Sequence, residues 1–175
     1  MAKKKSIYAF IDSQNLNLGV QSAGWKLDFR KFRLYLKNKY GVGKAYLFIG
    51  LKPGNERMYQ RLQEMGYILI FKPTVRYFRN GRESVKGNVD AELVLYAAAI
   101  EFDEYDRAII VTGDGDFACL FQFLVDKKKL FHVFVPNRQY SQLLRPYAPY
   151  IIRVDQLRSA LISTNKTGIG GRSKP

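Results

Sequence analysis

Four aspartates occupy positions from which they could share one cation. Asp12 closes an apolar run, Ser6–Asp12 (SIYAFID), and Asp90 opens a helical pattern after Lys86-Gly87-Asn88. Asp114 and Asp116 stand two residues apart in Thr112-Gly113-Asp114-Gly115-Asp116-Phe117, directly after another apolar run. Carboxylates a few ångströms apart repel one another, so such a cluster persists only with protons or cations present. An all-carboxylate ligand set suits a hard divalent ion, Mg²⁺ or Mn²⁺, in preference to zinc. Each acid alone has a plain structural use: Asp116 could cap the following helix, and Asp114 could close a turn. Those uses leave unexplained why Asp12 and Asp90 should come to the same edge. Gly113 and Gly115 are expected to let the backbone turn tightly, so that both neighbouring carboxylates face one crevice.

Whether the four meet depends on the elements that carry them. Ser6–Asp12, Lys44–Ile49, Tyr67–Phe71 and Arg107–Thr112 are strand-length apolar runs, and Lys129–Val135 and a short stretch near Tyr150–Val154 continue the series. Between them lie helical patterns over Asp28–Tyr40, Asn55–Met65, Val89–Glu101 and Asp116–Asp126, with another helix expected around Gln139–Arg145. Val75–Ser84 holds Asn80-Gly81 between aromatic and basic flanks, the signal of a hairpin. Strands alternating with helices predict parallel βαβ units. The expected fold is therefore α/β, a three-layer doubly wound domain around a central, mainly parallel sheet. In such sheets ligands bind at the carboxyl ends of the strands, where Asp12, Asp114 and Asp116 fall. The domain should span residues 6–163, between a basic lead (1–5) and a flexible Gly- and Lys-rich tail (164–175).

Composition narrows the partners. Lys and Arg number 29 against 15 acids, a formal net charge of +14, and with the terminal cations set aside the body still carries 23 bases against 15 acids. That excess suits a polyanion. Cys119 has no second cysteine to pair with and is expected to be a small core residue; His132, inside LFHVFV, is expected to pack rather than to ligate. Arg30, Lys31, Arg33, Lys37 and Lys39 read as the polar face of an amphipathic helix. Glu101–Asp106 reads as a surface loop, and Glu92, two residues from Asp90, should point elsewhere. There is neither a signal peptide nor an apolar run of membrane-spanning length, so a soluble cytoplasmic protein with no membrane partner is expected.

The three motifs together, Asp12-Ser13-Gln14-Asn15, Lys86-Gly87-Asn88-Val89-Asp90 and Thr112-Gly113-Asp114-Gly115-Asp116-Phe117, resemble the NYN domain of the PIN-like nuclease superfamily, and its LabA-like branch above all. The resemblance runs from about Ser6 to Leu161. It implies a Mg²⁺- or Mn²⁺-dependent ribonuclease in which Asp12, Asp90, Asp114 and Asp116 are the metal ligands. Asn15 would orient Asp12 or a phosphate, Thr112 would lend a hydroxyl, and Ser141 would help line the pocket. One departure stands out: family members often carry an Ala-Asp pair after the last helix, where this chain reads Ala148-Pro149-Tyr150.

RNA, single-stranded for preference and with DNA still open, is then the expected partner, and the domain accommodates a homodimer. The hairpin residues Arg76, Arg79 and Arg82, with Lys86 close behind, are the expected nucleic-acid contacts, their neighbouring aromatics stacking on unpaired bases. A non-catalytic RNA-binding or regulatory module that keeps the metal pocket is the alternative. A haloacid-type phosphatase fits less well, because the second acid of its D-x-D pair would fall on Gln14.

Overall fold

Six strands with apolar residues on both faces need helices above and below them, and the chain supplies both layers. The computed structural model describes residues 5–73, 75–79, 82–86 and 90–164, with backbone alone over 73–86. The elements are β1 (Ile7–Asp12), α1 (Ser13–Ser22), α2 (Phe29–Tyr40), β2 (Val42–Leu51), α3 (Glu56–Glu64) and β3 (Ile68–Pro73). Then come β4 (Val75–Arg79), β5 (Arg82–Lys86), α4 (Asp90–Leu95), β6 (Arg107–Val111), α5 (Ala118–Asp126), β7 (Leu130–Val135), β8 (Ile151–Arg153) and α6 (Arg158–Leu161). The central sheet has the order β3-β2-β1-β6-β7-β8, and every neighbouring pair in it is parallel. This is the doubly wound three-layer α/β architecture that the alternation of strands and helices implies. β4 and β5 form a separate antiparallel hairpin, as the flanks of Asn80-Gly81 suggest; that turn itself, the Gly87–Val89 segment, residues 1–4 and the tail from 165 lie outside the described residues.

The order creates a switch point. From β1 the chain winds one way through β2 and β3, then returns to β1's other edge with β6 and winds the opposite way. Helices leave the sheet on opposite faces at this junction, which opens a crevice over the carboxyl ends of β1 and β6. The period of two decides what faces that crevice. Tyr8 and Phe10 of β1, with Ala108 and Ile110 of β6, pack on the α4–α5 face with Leu93, Leu120, Phe121 and Leu124. Ala9, Ile11, Ile109 and Val111 pack on the opposite face with Leu16 and Val20 of α1 and Phe32 and Leu36 of α2. Phe10 is paired with Ile110 and Ile11 with Val111. One step further, Asp12 and Thr112 therefore emerge side by side on the α4–α5 face.

Several local expectations are corrected. Helix α1 has no counterpart in the sequence reading, because SQNLNLGVQS offers a seam of only Leu16 and Val20. The Gln139–Arg145 helix is a 3₁₀ segment over Gln142–Tyr150 instead; Pro146 and Pro149 inside it remove the donors a continuous α-helix needs. Helix α4 passes into a π-helical turn at Tyr96–Ile100. Cys119 is exposed rather than in the core, since α5 turns Leu120, Phe121 and Leu124 inward. Arg33 is buried rather than solvated: its guanidinium donates to the carbonyls of Gly66, Val42 and Gly43, tying the start of β2 to the turn before β3. His132 packs at 5.0 Å from the Tyr40 ring, and burial lowers its pKa, so it is a packing residue as expected.

Helix α1 is held against the loop after β7. A Cβ built on Gly19 would lie 2.4 Å from Pro136 Cβ, and Asn137 Nδ2 donates to Gly19 O at 2.7 Å. Gly19→Ala should therefore destabilise the protein: overpacking costs about 1–3 kcal/mol, more than the gain of about 1 kcal/mol that Ala brings to a helix interior. A lower urea midpoint at unchanged m-value is the expected reading.

Candidate metal centre

The crevice begins with Asp12, 5% exposed at the end of β1. It caps α1, accepting from Asn15 N–H at 3.1 Å on Oδ1, while Oδ2 accepts from Thr112 Oγ1 at 3.3 Å. Thr112, fully buried, accepts in turn from the Asp114 N–H at 3.2 Å. Asp114 Oδ1 caps a 3₁₀ turn over Gly115–Phe117 by accepting from Asp116 N–H at 3.0 Å. A continuous chain of hydrogen bonds thus runs from the end of β1 through the end of β6 into the loop of acids.

Carboxylate oxygens of Asp90, Asp114 and Asp116 all lie within 4.8 Å of one another. The fourth expected acid stands apart from this group. Asp12 lies deeper, with both oxygens engaged, yet close enough to feel Asp90 and Asp114: burial first, and then those two charges, push its pKa up to about 6 against hydrogen bonds that favour the ionised form. Asn15 makes contacts on both sides of the crevice. Its backbone N–H meets Asp12, but its Oδ1 accepts from Gly113 N–H at 2.7 Å, tying α1 to the loop after β6. Its amide nitrogen keeps two donors outside that bond.

The glycines of the loop serve close approach rather than unusual torsions. Neither Gly113 nor Gly115 has a positive φ. A Cβ on Gly113 would meet Pro136 Cδ at 3.2 Å and Tyr140 Cβ at 3.3 Å, and one on Gly115 would meet Ser141 Oγ at 2.3 Å. Ser141 is therefore seated against the acid loop, its own N–H donating to Gly113 O at 3.0 Å. Glu92 does turn elsewhere, its Oε2 lying 3.2 Å from Lys72 Nζ. For Arg76, Arg79, Arg82 and Lys86 the strands are described but the side chains are not. The sequence reading takes Ser141 from the loop after β7 but gives no site role to residues 136–140, which lie on the same edge. Their signal is a Pro-Asn pair directly after an apolar strand, followed by an arginine and a tyrosine.

The NYN domain family model matches residues 6–155. The chain belongs to the NYN family. This NYN domain is 27% identical over 164 residues to the low amplitude and bright protein LabA of Synechococcus elongatus, covering 90% of this chain and 88% of LabA. It also superposes on the crystal structure of a protein of unknown function from Vibrio parahaemolyticus with a TM-score of 0.75, at 26% identity over 93% of this chain and 99% of that one.

The donors of this NYN domain fit a hard divalent cation. Three carboxylate oxygens converge without a sulfur or imidazole among them, and the buried Asp12 carboxyl lies beneath them. The raised pKa has a stability consequence. A carboxyl that takes up its proton near pH 6 when folded and near 3.8 otherwise stabilises the fold most below pH 4. That contribution, at most about 3 kcal/mol, is lost as pH rises through 6. In EDTA, Asp12→Asn should raise stability at pH 7.5 by about 1–3 kcal/mol and make little difference at about pH 3, below the unfolded pKa of 3.8, as measured by urea unfolding at both values.

Proposed function

We propose that this NYN domain hydrolyses RNA phosphodiester bonds with the help of Mg²⁺ or Mn²⁺. The convergence of Asp90, Asp114 and Asp116 within 4.8 Å at the switch point of the sheet carries the reading. Those three residues would hold the cation directly, with Asp12 beneath them as a fourth negative charge. A bound divalent ion supplies an acidified water and offsets the charge that builds on phosphorus and on the leaving oxygen.

The chain's own groups do the remaining work. Thr112 and the Asn15 N–H keep the Asp12 carboxylate in one orientation. The Asn15 carboxamide, fixed through its oxygen to Gly113 N–H, offers its amide donors to a phosphate oxygen. Ser141, pressed against Gly115, keeps the Asp114–Asp116 loop from widening. No histidine or lysine nucleophile is needed, and the products would carry 5′-phosphate and 3′-hydroxyl ends. Four acids repel a polyanion, so affinity must come from the basic body; the β4–β5 hairpin, with Arg76, Arg79, Arg82 and Lys86, is one rim suited to hold single-stranded RNA. No helix among the described residues is long and apolar enough to cross a membrane.

The deciding experiment follows labelled single-stranded RNA in Mg²⁺, Mn²⁺ or EDTA, with wild type and Asp114→Asn purified in parallel. Wild type should cut only with metal, and the variant should be slower by at least about 100-fold with an unchanged melting profile. Equal cleavage by the two proteins would assign the activity to a contaminant and leave an RNA-binding or regulatory module. Neutralising Arg76, Arg79 and Arg82 together should weaken RNA binding and flatten its salt slope by about 2, at roughly 0.7 per phosphate for single strands; an unaltered slope would remove the hairpin from the interface.

A further inference from the structure

Two cavities, of about 330 and 400 Å³, lie over the carboxyl edge of the sheet, and the smaller one reaches the acid loop at Gly113. They share Ser22, Asn137 and Gln139 in their linings, so they form one groove. Its inner end is bounded by Asn15, Gly113 and Tyr140, its outer end by Arg138, Arg153 and Asp155. The parallel sheet explains the direction. Asp12 ends β1, Thr112 follows β6, Pro136 follows β7 and Arg153 ends β8, so all four lie over the same edge in strand order. Neighbouring strands are about 4.8 Å apart, which puts the end of β8 roughly 10 Å from the end of β6. The groove therefore leads away from the acids across the strand ends, on the side of the sheet order remote from β3.

Its walls are braced before any ligand arrives. Asn137 donates to Gly19 O at 2.7 Å and Ser22 Oγ at 3.3 Å, and its Oδ1 accepts from Gln139 N–H at 2.7 Å. Arg153 is held by a two-point contact to Asp155, Nε–Oδ1 at 3.0 Å and Nη2–Oδ2 at 2.6 Å. That contact leaves Nη1 with no hydrogen bond among the described residues. Tyr140 packs part-buried against the α4–α5 core, with its Cβ next to Gly113, and its hydroxyl is near enough to Arg153 to interact electrostatically. Arg138 is exposed at the mouth. An aromatic ring beside the acids, followed by two guanidinium groups further out, matches the alternation of base and phosphate along a single strand.

We propose that this groove carries the substrate strand away from the acid cluster, with Tyr140 stacking on an unpaired base next to the scissile phosphate and Arg138 and Arg153 holding a neighbouring phosphate. The assignment rests on the hydrolytic reading above, but binding and cleavage test the two separately. Binding is read by anisotropy of a labelled single-stranded oligoribonucleotide in Mg²⁺ across a salt series, in an Asp114→Asn background. Arg138→Gln with Arg153→Gln should weaken binding about tenfold or more and lower the salt slope by about 1.4. Tyr140→Leu should lose about tenfold, and Tyr140→Phe, which keeps the ring, should lose little. Affinity and slope within twofold of the parent for all these variants would overturn the groove.

Arg138→Gln alone, a change at an exposed side chain, should give about half the slope change and keeps the test valid if loss of Arg153 unfolds the chain. With Asp114 restored, cleavage of bis(p-nitrophenyl) phosphate, too small to reach the outer end of the groove, should stay at the parent rate in the Arg138→Gln and Arg153→Gln variants while KM for RNA rises. A parallel loss on the small ester would mean that these residues only support the fold of the site, which also overturns the proposal. Wild type that cuts no RNA, with groove variants that still lose affinity, would sink the hydrolytic reading and leave the groove standing. Metal-dependent cutting with unchanged affinity in the variants would do the reverse.

Discussion

Mutual repulsion of carboxylates at the edge of a parallel sheet is the constraint around which this molecule is arranged. Three carboxylate oxygens lie within 4.8 Å of one another and a fourth carboxylate lies buried beneath them, in surroundings where charges interact more strongly than in water. Left to itself, such a loop would spread until its acids were solvated. The hydrogen bonds of the site work against that spreading. Asn15 fastens α1 to the loop after β6, Thr112 connects Asp12 to the Asp114 backbone, and Asp114 folds the loop back on Asp116. Burial first, and then the charges of Asp90 and Asp114, hold the pKa of Asp12 well above that of an ordinary carboxylate.

Packing supplies the remaining restraint. Gly115 and Gly113 allow Ser141 and Tyr140 to press directly on the acid loop, and Gly19 lets α1 lie against Pro136. The loops after β6 and β7 and the first helix thereby form one rigid rim, each part closing on another through a missing side chain. A rim of this kind is suited to receiving a cation without rearrangement, and the groove continues from it along the same edge.

The sheet and the acids were legible in the sequence for a physical reason. β1 and β6 are buried on both faces, so their apolar runs are unbroken, and the acids that end them stand out by contrast. What could not be read depended on tertiary partners. Helix α1 is specified by Leu16, Val20 and its fit to Pro136 rather than by helix propensity. Arg33 sits in a pattern indistinguishable from a solvated helix face until the carbonyls of Val42, Gly43 and Gly66 come within its reach. Cys119 lies in a run so apolar that periodicity could not pick out its outward-facing position. The glycines of the acid loop were found, but their use is room for Ser141 and Tyr140 rather than torsional freedom. Residues 136–140, unlike Ser141 beside them, went unread because nothing in their composition says which strand end they overlie.

The order of the strands has a consequence for how the chain comes into being. Ile7 pairs with Val42 on one side and with Arg107 on the other, so one edge of the central strand waits for a partner a hundred residues downstream. At roughly 5–20 residues per second of synthesis that wait is on the order of 5–20 s. Throughout it, a strand with apolar residues on both faces has its N–H and C=O groups open along that edge, the geometry that invites pairing with another chain. Arrival of β6 closes the edge and brings Asp114 and Asp116 to the crevice in the same step. An aggregation-prone nascent half-sheet and an unassembled acid centre are thus a single state, and the chain leaves both behind together.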